Sequence, residues 1–183
     1  MMPVLIIIDV QQDFFDKERL SKNRKKLTTN INELTQFARS KNIPVIFVRQ
    51  EFKEDMSDAP IPYQERGYKL TMANTKGSQL LPELVKDKTD HEIIKKRYSA
   101  FFNTDLEKLL QKIKADTLII GGINTHACVR TSAIDAYQRD YKVYLATDCI
   151  DSYDEKHHKI SLEYLTGLIS EGLDNAQLKS KFT

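Results

Sequence analysis

Residues Leu118 to Asp135 read LIIGGINTHACVRTSAID, and the change of character inside this stretch decides the architecture. It begins as an apolar run with the β-branched pair Ile119-Ile120, reaches the turn pair Gly121-Gly122, and passes into small and polar residues able to form a helix. A strand, a tight turn and a helix start are the unit from which α/β sheets are built. Cys128 falls in the first turn of that helix, where unpaired backbone N–H groups and the helix dipole lower a thiol's pKa from its free value of about 8.5. A buried structural cysteine fits the same residues equally well, because free cysteine is among the most buried residue types. The other strand ends must decide between them.

Working outward, Val4 to Ile8 is a continuous β-branched apolar run, as expected of a central parallel strand covered on both faces, and it ends at Asp9. Ile43 to Val48 repeats that character, and further strands are expected around His91–Lys95, at Lys142–Ala146 and, briefly, at Leu168-Ile169-Ser170. Between them lie helical patterns: one starting near Asn23 with Leu27, Ile31, Leu34 and Phe37 inward, and a short one over Ser78–Lys86. Another opens on a capping box of Thr104 and Glu107, and a last long one covers Asp154–Leu165. The alternation predicts a doubly wound, mainly parallel sheet of five or six strands with helices on both faces, a Rossmann-like three-layer sandwich formed by one domain over residues 1–183.

Composition narrows the function. The chain has 183 residues, 40% of them hydrophobic, which suffices for one well-cored domain. Its 28 Lys and Arg nearly balance 26 Asp and Glu, so charge gives no case for a nucleic-acid or membrane partner, and a small-molecule substrate is expected. Two cysteines are too few for a disulfide scaffold, and MMPVLIIIDV has neither a basic leader nor a cleavage site, so a reduced, cytoplasmic protein is expected. His157 and His158 are adjacent, and so cannot chelate one metal in the i, i+4 manner. Residues 49–77, broken by Pro60, Pro62, Gly67 and Gly77, form a long polar excursion expected to act as a lid, a binding loop or a subunit contact.

Three chemically distinct groups fall at carboxyl ends of parallel strands: the Asp9 carboxylate, a lysine after the third strand, and the Cys128 thiol. That edge is where open α/β sheets place ligands, and a base, a charge partner and a sulfur nucleophile suit acyl transfer. Strand alternation does not choose between Lys95 and Lys96, since Ile93 and Ile94 can both be buried in a doubly covered sheet.

Almost end to end, the sequence resembles the isochorismatase-like cysteine hydrolases. IIIDVQQDF matches that family's Asp-x-Gln-x-Asp-Phe opening, IIKKRYSAFFNTDL its lysine segment and GGINTHACVRTSAIDA its cysteine segment. The resemblance implies a catalytic triad of Asp9, Lys95 and Cys128, with Lys95 chosen because it stands four positions before Ser99. It also implies a cis peptide between Ile123 and Asn124, an oxyanion hole made by the backbone N–H groups of Asn124 and Cys128, and a homo-oligomer, dimer or tetramer.

Departures from the family narrow the substrate. Nicotinamidases carry an Asp-x-His and a further histidine after the second strand, holding a metal; here that place reads VRQEFKEDMSD, without histidine. Enzymes that act on the isochorismate enol ether lack the cysteine. The resemblance therefore implies a hydrolase without metal or cofactor, cleaving a C–N bond of a small amide, carbamoyl or ureido compound through a thioester. Phe14 and the pair Phe101-Phe102 are the candidates to wall its pocket, and core packing explains them nearly as well. Two readings from other classes stand beside it: a thiol redox or sensor protein with Cys149 as resolving cysteine, and a non-catalytic small-molecule-binding protein on the same fold.

Overall fold

The computed structural model describes residues 1–183. Six strands form one all-parallel sheet: β1 (Pro3–Ile8), β2 (Val45–Gln50), β3 (His91–Lys95), β4 (Thr117–Gly122), β5 (Lys142–Ile150) and β6 (Glu171–Leu173), in the order β3-β2-β1-β4-β5-β6. The chain winds outward from β1 to β3 on one side and from β4 to β6 on the other. The switch point, where such folds open a crevice, therefore lies between β1 and β4. Register there is unbroken, with Ile8 opposite Gly122.

Alternation along the strands sorts their side chains into two cores. Val4, Ile6 and Ile8 pack with Ile46, Val48, Leu118 and Ile120 on one face, under α3 (Leu106–Lys112) and α4 (Arg130–Tyr137). Leu5 and Ile7 pack with Phe47, Ile119 and Tyr144 on the other, under α1 (Glu18–Ser40) and, after the five-residue α2 (Ile61–Glu65) and the longer α5 (Glu155–Tyr164), the C-terminal α6 (Asn175–Lys181). The buried stripe of α1 is Leu20, Leu27, Ile31, Leu34 and Ala38 at helical spacing. Fully burying each leucine or isoleucine of this kind is worth about 1.5–3 kcal/mol. At the crossing of β1 and β4, Gly122 has a φ of +114°, and a Cβ there would lie 2.1 Å from the Ile8 carbonyl oxygen, so only glycine lets the two strand ends meet.

Several local expectations are corrected. The first helix begins at Glu18, a turn and a half before Asn23. Ser78–Lys86 forms no helix: Pro82 interrupts it, and its backbone instead bonds to β1's extension through the Gln11–Leu80 bridge and Leu81 N–H to Val10 O. Leu81 and Leu84 are buried, and Val85 is exposed. There is no capping box at α3; the Thr104 hydroxyl accepts from Leu106 N–H and donates to Ala100 O, while Glu107 receives the Tyr141 hydroxyl. Leu165–Ile169 is a wide helical turn continuing α5, and the edge strand follows it. No helix is long and apolar enough to cross a membrane.

Candidate active site

Asp9, Lys95 and Cys128 meet at the switch point. Asp9 follows β1 with a φ of +56°, a left-handed turn that breaks the alternation which would otherwise send its side chain to the α1 face with Leu5 and Ile7. Lys95 ends β3, and its long side chain crosses the end of β2 to reach the centre of the sheet. Its ammonium lies 2.7 Å from Asp9 Oδ2 and 3.4 Å from Cys128 Sγ, and donates to Arg97 O at 3.0 Å. All three residues are buried. The peptide between Ile123 and Asn124 is cis. Asn124 O accepts the N–H groups of Ala127 and Val129, whereas the Asn124 N–H donates to no acceptor in the protein.

Lys96, by contrast, turns outward, bonding Asp58 Oδ2 at 2.5 Å and Glu51 O at 3.0 Å with its side chain 44% exposed. Alternation places Ile93 in the same core as Cys128, and Ile94, on the other face, is 44% exposed. The lysine that shares a face with Ile93 therefore reaches the thiol.

The electrostatics differ from the sequence expectation in one respect. Cys128 lies in a wide turn, Thr125–Val129, ahead of α4 rather than in its first turn. Its thiol is pushed up, first by burial and then by the Asp9 carboxylate, which together outweigh Lys95. Burial also raises the Asp9 carboxyl, against the pull of Lys95. For Lys95 burial opposes the charge, but Asp9 and Cys128 outweigh it and hold the ammonium above its ordinary range. Burial thus disfavours the thiolate, and the thiol stands beside the buried Asp9–Lys95 pair.

Above Cys128 opens a cavity of about 470 Å³. Phe14 lines it with Tyr63, Tyr68 and Leu70 from the 49–77 excursion. Phe101 does not: it is buried in the core, against Tyr141 and beneath Arg139. Phe102 is half exposed and lines a neighbouring cavity. Gln50, Tyr98, His126 and Tyr153 also reach the cavity. Gln50 ends β2, while Tyr98, His126 and Tyr153 arrive by way of turns and nothing in their sequence surroundings marks them. The excursion is pinned by Asp13, whose carboxylate accepts Thr71 N–H at 2.6 Å, and by a small core of Phe52, Met56 and Ala59. Gln11 fastens its base, donating to Gln50 O and Ser78 O and accepting Gln50 N–H.

The residues present do not fit the metal centre of nicotinamidases. No three His, Cys, Asp or Glu side chains are grouped to hold an ion. His126 is turned to Ser152, at 2.5 Å, and Asp13 is engaged by Thr71. Cys149, the other thiol, sits in the opposite core from Cys128 and donates to Asn175 Oδ1 at 3.3 Å.

The fold is thus a six-stranded parallel sandwich with an acid, an ammonium and a thiol gathered at its switch point. The isochorismatase domain matches residues 3–177, and the chain belongs to the isochorismatase family. It is 28% identical over 167 residues to an uncharacterized isochorismatase family protein of Bacillus subtilis, covering 90% of this chain and 89% of that one. Among solved structures, an isochorismatase family protein from Desulfovibrio vulgaris is similar with a TM-score of 0.89 at 25% identity, over 98% of this chain and 97% of that chain. A pyrazinamidase/nicotinamidase from Streptococcus mutans is similar with a TM-score of 0.84 at 26% identity, over 93% and 99%.

Proposed function

We propose that this protein is a metal-independent cysteine hydrolase that cleaves a C–N bond of a small amide, carbamoyl or ureido compound. The observation that carries this reading is the buried Lys95 ammonium, 2.7 Å from Asp9 Oδ2 and 3.4 Å from Cys128 Sγ, with Cys128 itself lining a cavity. Asp9 takes the Cys128 proton as the sulfur attacks the carbonyl carbon, and Lys95 balances the charge passed between them. The carbonyl oxygen, now an anion, is met by the backbone N–H groups of Asn124 and Cys128; losing one such donor typically costs about 10²–10³ in rate. The C–N bond breaks, the departing ammonia or amine takes the proton from Asp9, and an acyl thioester is left on Cys128. Water gives its proton to Asp9 and attacks the thioester, releasing the acid and restoring the thiol.

The similarity to a pyrazinamidase/nicotinamidase supports amide chemistry, and the want here of the metal-holding histidines that the family resemblance assigns to nicotinamidases argues for another amide. Cys128, as a nucleophile, argues against isochorismate. A redox pair is disfavoured because the two thiols belong to opposite cores. A purely binding role leaves a buried ion pair beside a thiol without a purpose. The test is ammonia release from a panel of amides and ureido compounds, compared between the native protein and Cys128→Ser.

Two further outcomes are expected. Iodoacetamide should label Cys128, which lines the cavity, and leave Cys149, which is fully buried, unlabelled in the folded protein. Mass spectrometry showing equal labelling would remove the argument from access. Dialysis against a chelator should leave the rate within about twofold, as no ligand set is available; an activity lost on dialysis and restored by zinc or manganese would overturn the metal-free mechanism.

A further inference from the structure

A second cavity, about 590 Å³, adjoins the first and shares Gln50, Tyr63 and Tyr98 with it as a common wall. Pro60, Pro62 and Phe102 give the second cavity an apolar surface, and its charged residues are Arg66, Arg97 and Asp135. Asp135 is already satisfied by Arg139 at 3.1 Å and by the Ser99 hydroxyl.

The two arginines are not. The chain has eight arginines, at 19, 24, 39, 49, 66, 97, 130 and 139. Arg19, Arg24, Arg39, Arg49 and Arg139 each pair with a carboxylate. Arg130 stacks on Tyr164 with its guanidinium 4.7 Å from the ring centre. Arg66 and Arg97 alone have neither an anionic nor an aromatic partner, and both line this cavity. Arg97 is half-buried, and its Nη1 is anchored by two neutral carbonyls, Asp58 O at 3.0 Å and Lys96 O at 2.6 Å. Those bonds orient the guanidinium without neutralising it. Its carbonyl accepts from Lys95, so the residue is fixed to the reacting centre itself.

We infer that the second cavity is a subsite for a carboxylate borne on an apolar body, held by Arg97 and Arg66, while the scissile amide of the same molecule lies over Cys128. This rests on the hydrolase reading and adds the charge of the substrate. A guanidinium fork matches a carboxylate in plane and donates two hydrogen bonds, and against an apolar wall the attraction is screened less than in bulk water.

The probes are 4-carbamoylbenzoate and terephthalamide, which share one amide and differ only in the charge at the far end. Calorimetry on the Cys128→Ser protein should give at least about tenfold tighter binding of the anion, a preference that shrinks with added salt. Arg97→Gln should abolish the preference and Arg66→Gln should weaken it; Lys69→Gln, altering a lysine that lines only the first cavity, should leave it in place. Arg66 is exposed at the end of α2, so its variant carries the test if Arg97→Gln does not fold. Equal binding of the two probes, binding of neither, or a preference lost only with Lys69→Gln would overturn the subsite. Ammonia release from neutral amides that depends on Cys128 would leave the hydrolase standing in each of those cases, and its absence from the whole panel would sink the hydrolase instead.

Discussion

Cys128→Ser is expected to lower ammonia release by at least about 10⁴-fold, the scale seen when a covalent nucleophile is removed from a unit that acts together. The structure gives a reason for the size. Burial and Asp9 hold even the thiol largely protonated at rest, so attack depends on Asp9 taking the proton in the same event. A hydroxyl in that place is a far weaker acid, and the same carboxylate cannot strip it. Serine fills nearly the same volume, and the thiol's partners are Lys95 at 3.4 Å and Asp9, so stability should change little. Rate against pH gives a second readout. Asp9 must be ionised to act, and burial raises its pKa, so the acid limb of kcat/KM should lie above the ordinary aspartate range near 4. A serine protein retaining a hundredth of the rate would show that the sulfur is not the nucleophile.

The layers of this molecule were legible in its sequence because burial on both faces forces continuous apolar strands, and these stand out between amphipathic helices. Val4–Ile8 and Leu118–Gly122 are such strands, and Asp9 and Cys128 follow directly from where they end. The acidity of the thiol was misread for a physical reason. Cys128 precedes α4 in a wide turn and lies beneath the cavity, so desolvation and a neighbouring carboxylate decide its protonation, not a helix dipole. Phe101 and Phe102 were indistinguishable as adjacent aromatics; only the turn after β3 determines that one enters the core and the other a cavity. Tyr98, His126 and Tyr153 reach the site through turns whose geometry depends on tertiary contacts, and no periodicity records those.

Lys95→Ala and Lys96→Ala should separate the two adjacent lysines by both activity and stability. Alternation failed to choose between them because a strand covered on both faces buries both parities, but β3 is an edge strand and leaves Ile94 exposed. Removing Lys95 strands a buried Asp9 carboxylate, which typically costs about 3–5 kcal/mol. Lys96 pairs with Asp58 near the surface, and its loss should cost under about 1 kcal/mol. The sign with pH follows from the direction of the shift. Lys95 is raised in the folded state, so its contribution is complete at neutral pH and is lost only as pH climbs through the folded value. Urea unfolding at pH 7 therefore reads all of it. Alkylation of Cys128 should move to higher pH in Lys95→Ala, since the ammonium that balances the thiolate is gone, and stay in place in Lys96→Ala. The variant Asp9→Asn/Lys95→Met distinguishes support of the fold from chemistry. With both charges removed, no buried ion is left unpaired, and much of the stability lost in Lys95→Ala should return, while ammonia release stays absent. Recovery of activity together with stability would mean that the pair only holds the sheet ends together, and a dead Lys96→Ala beside an active Lys95→Ala would place the functional ammonium one residue on.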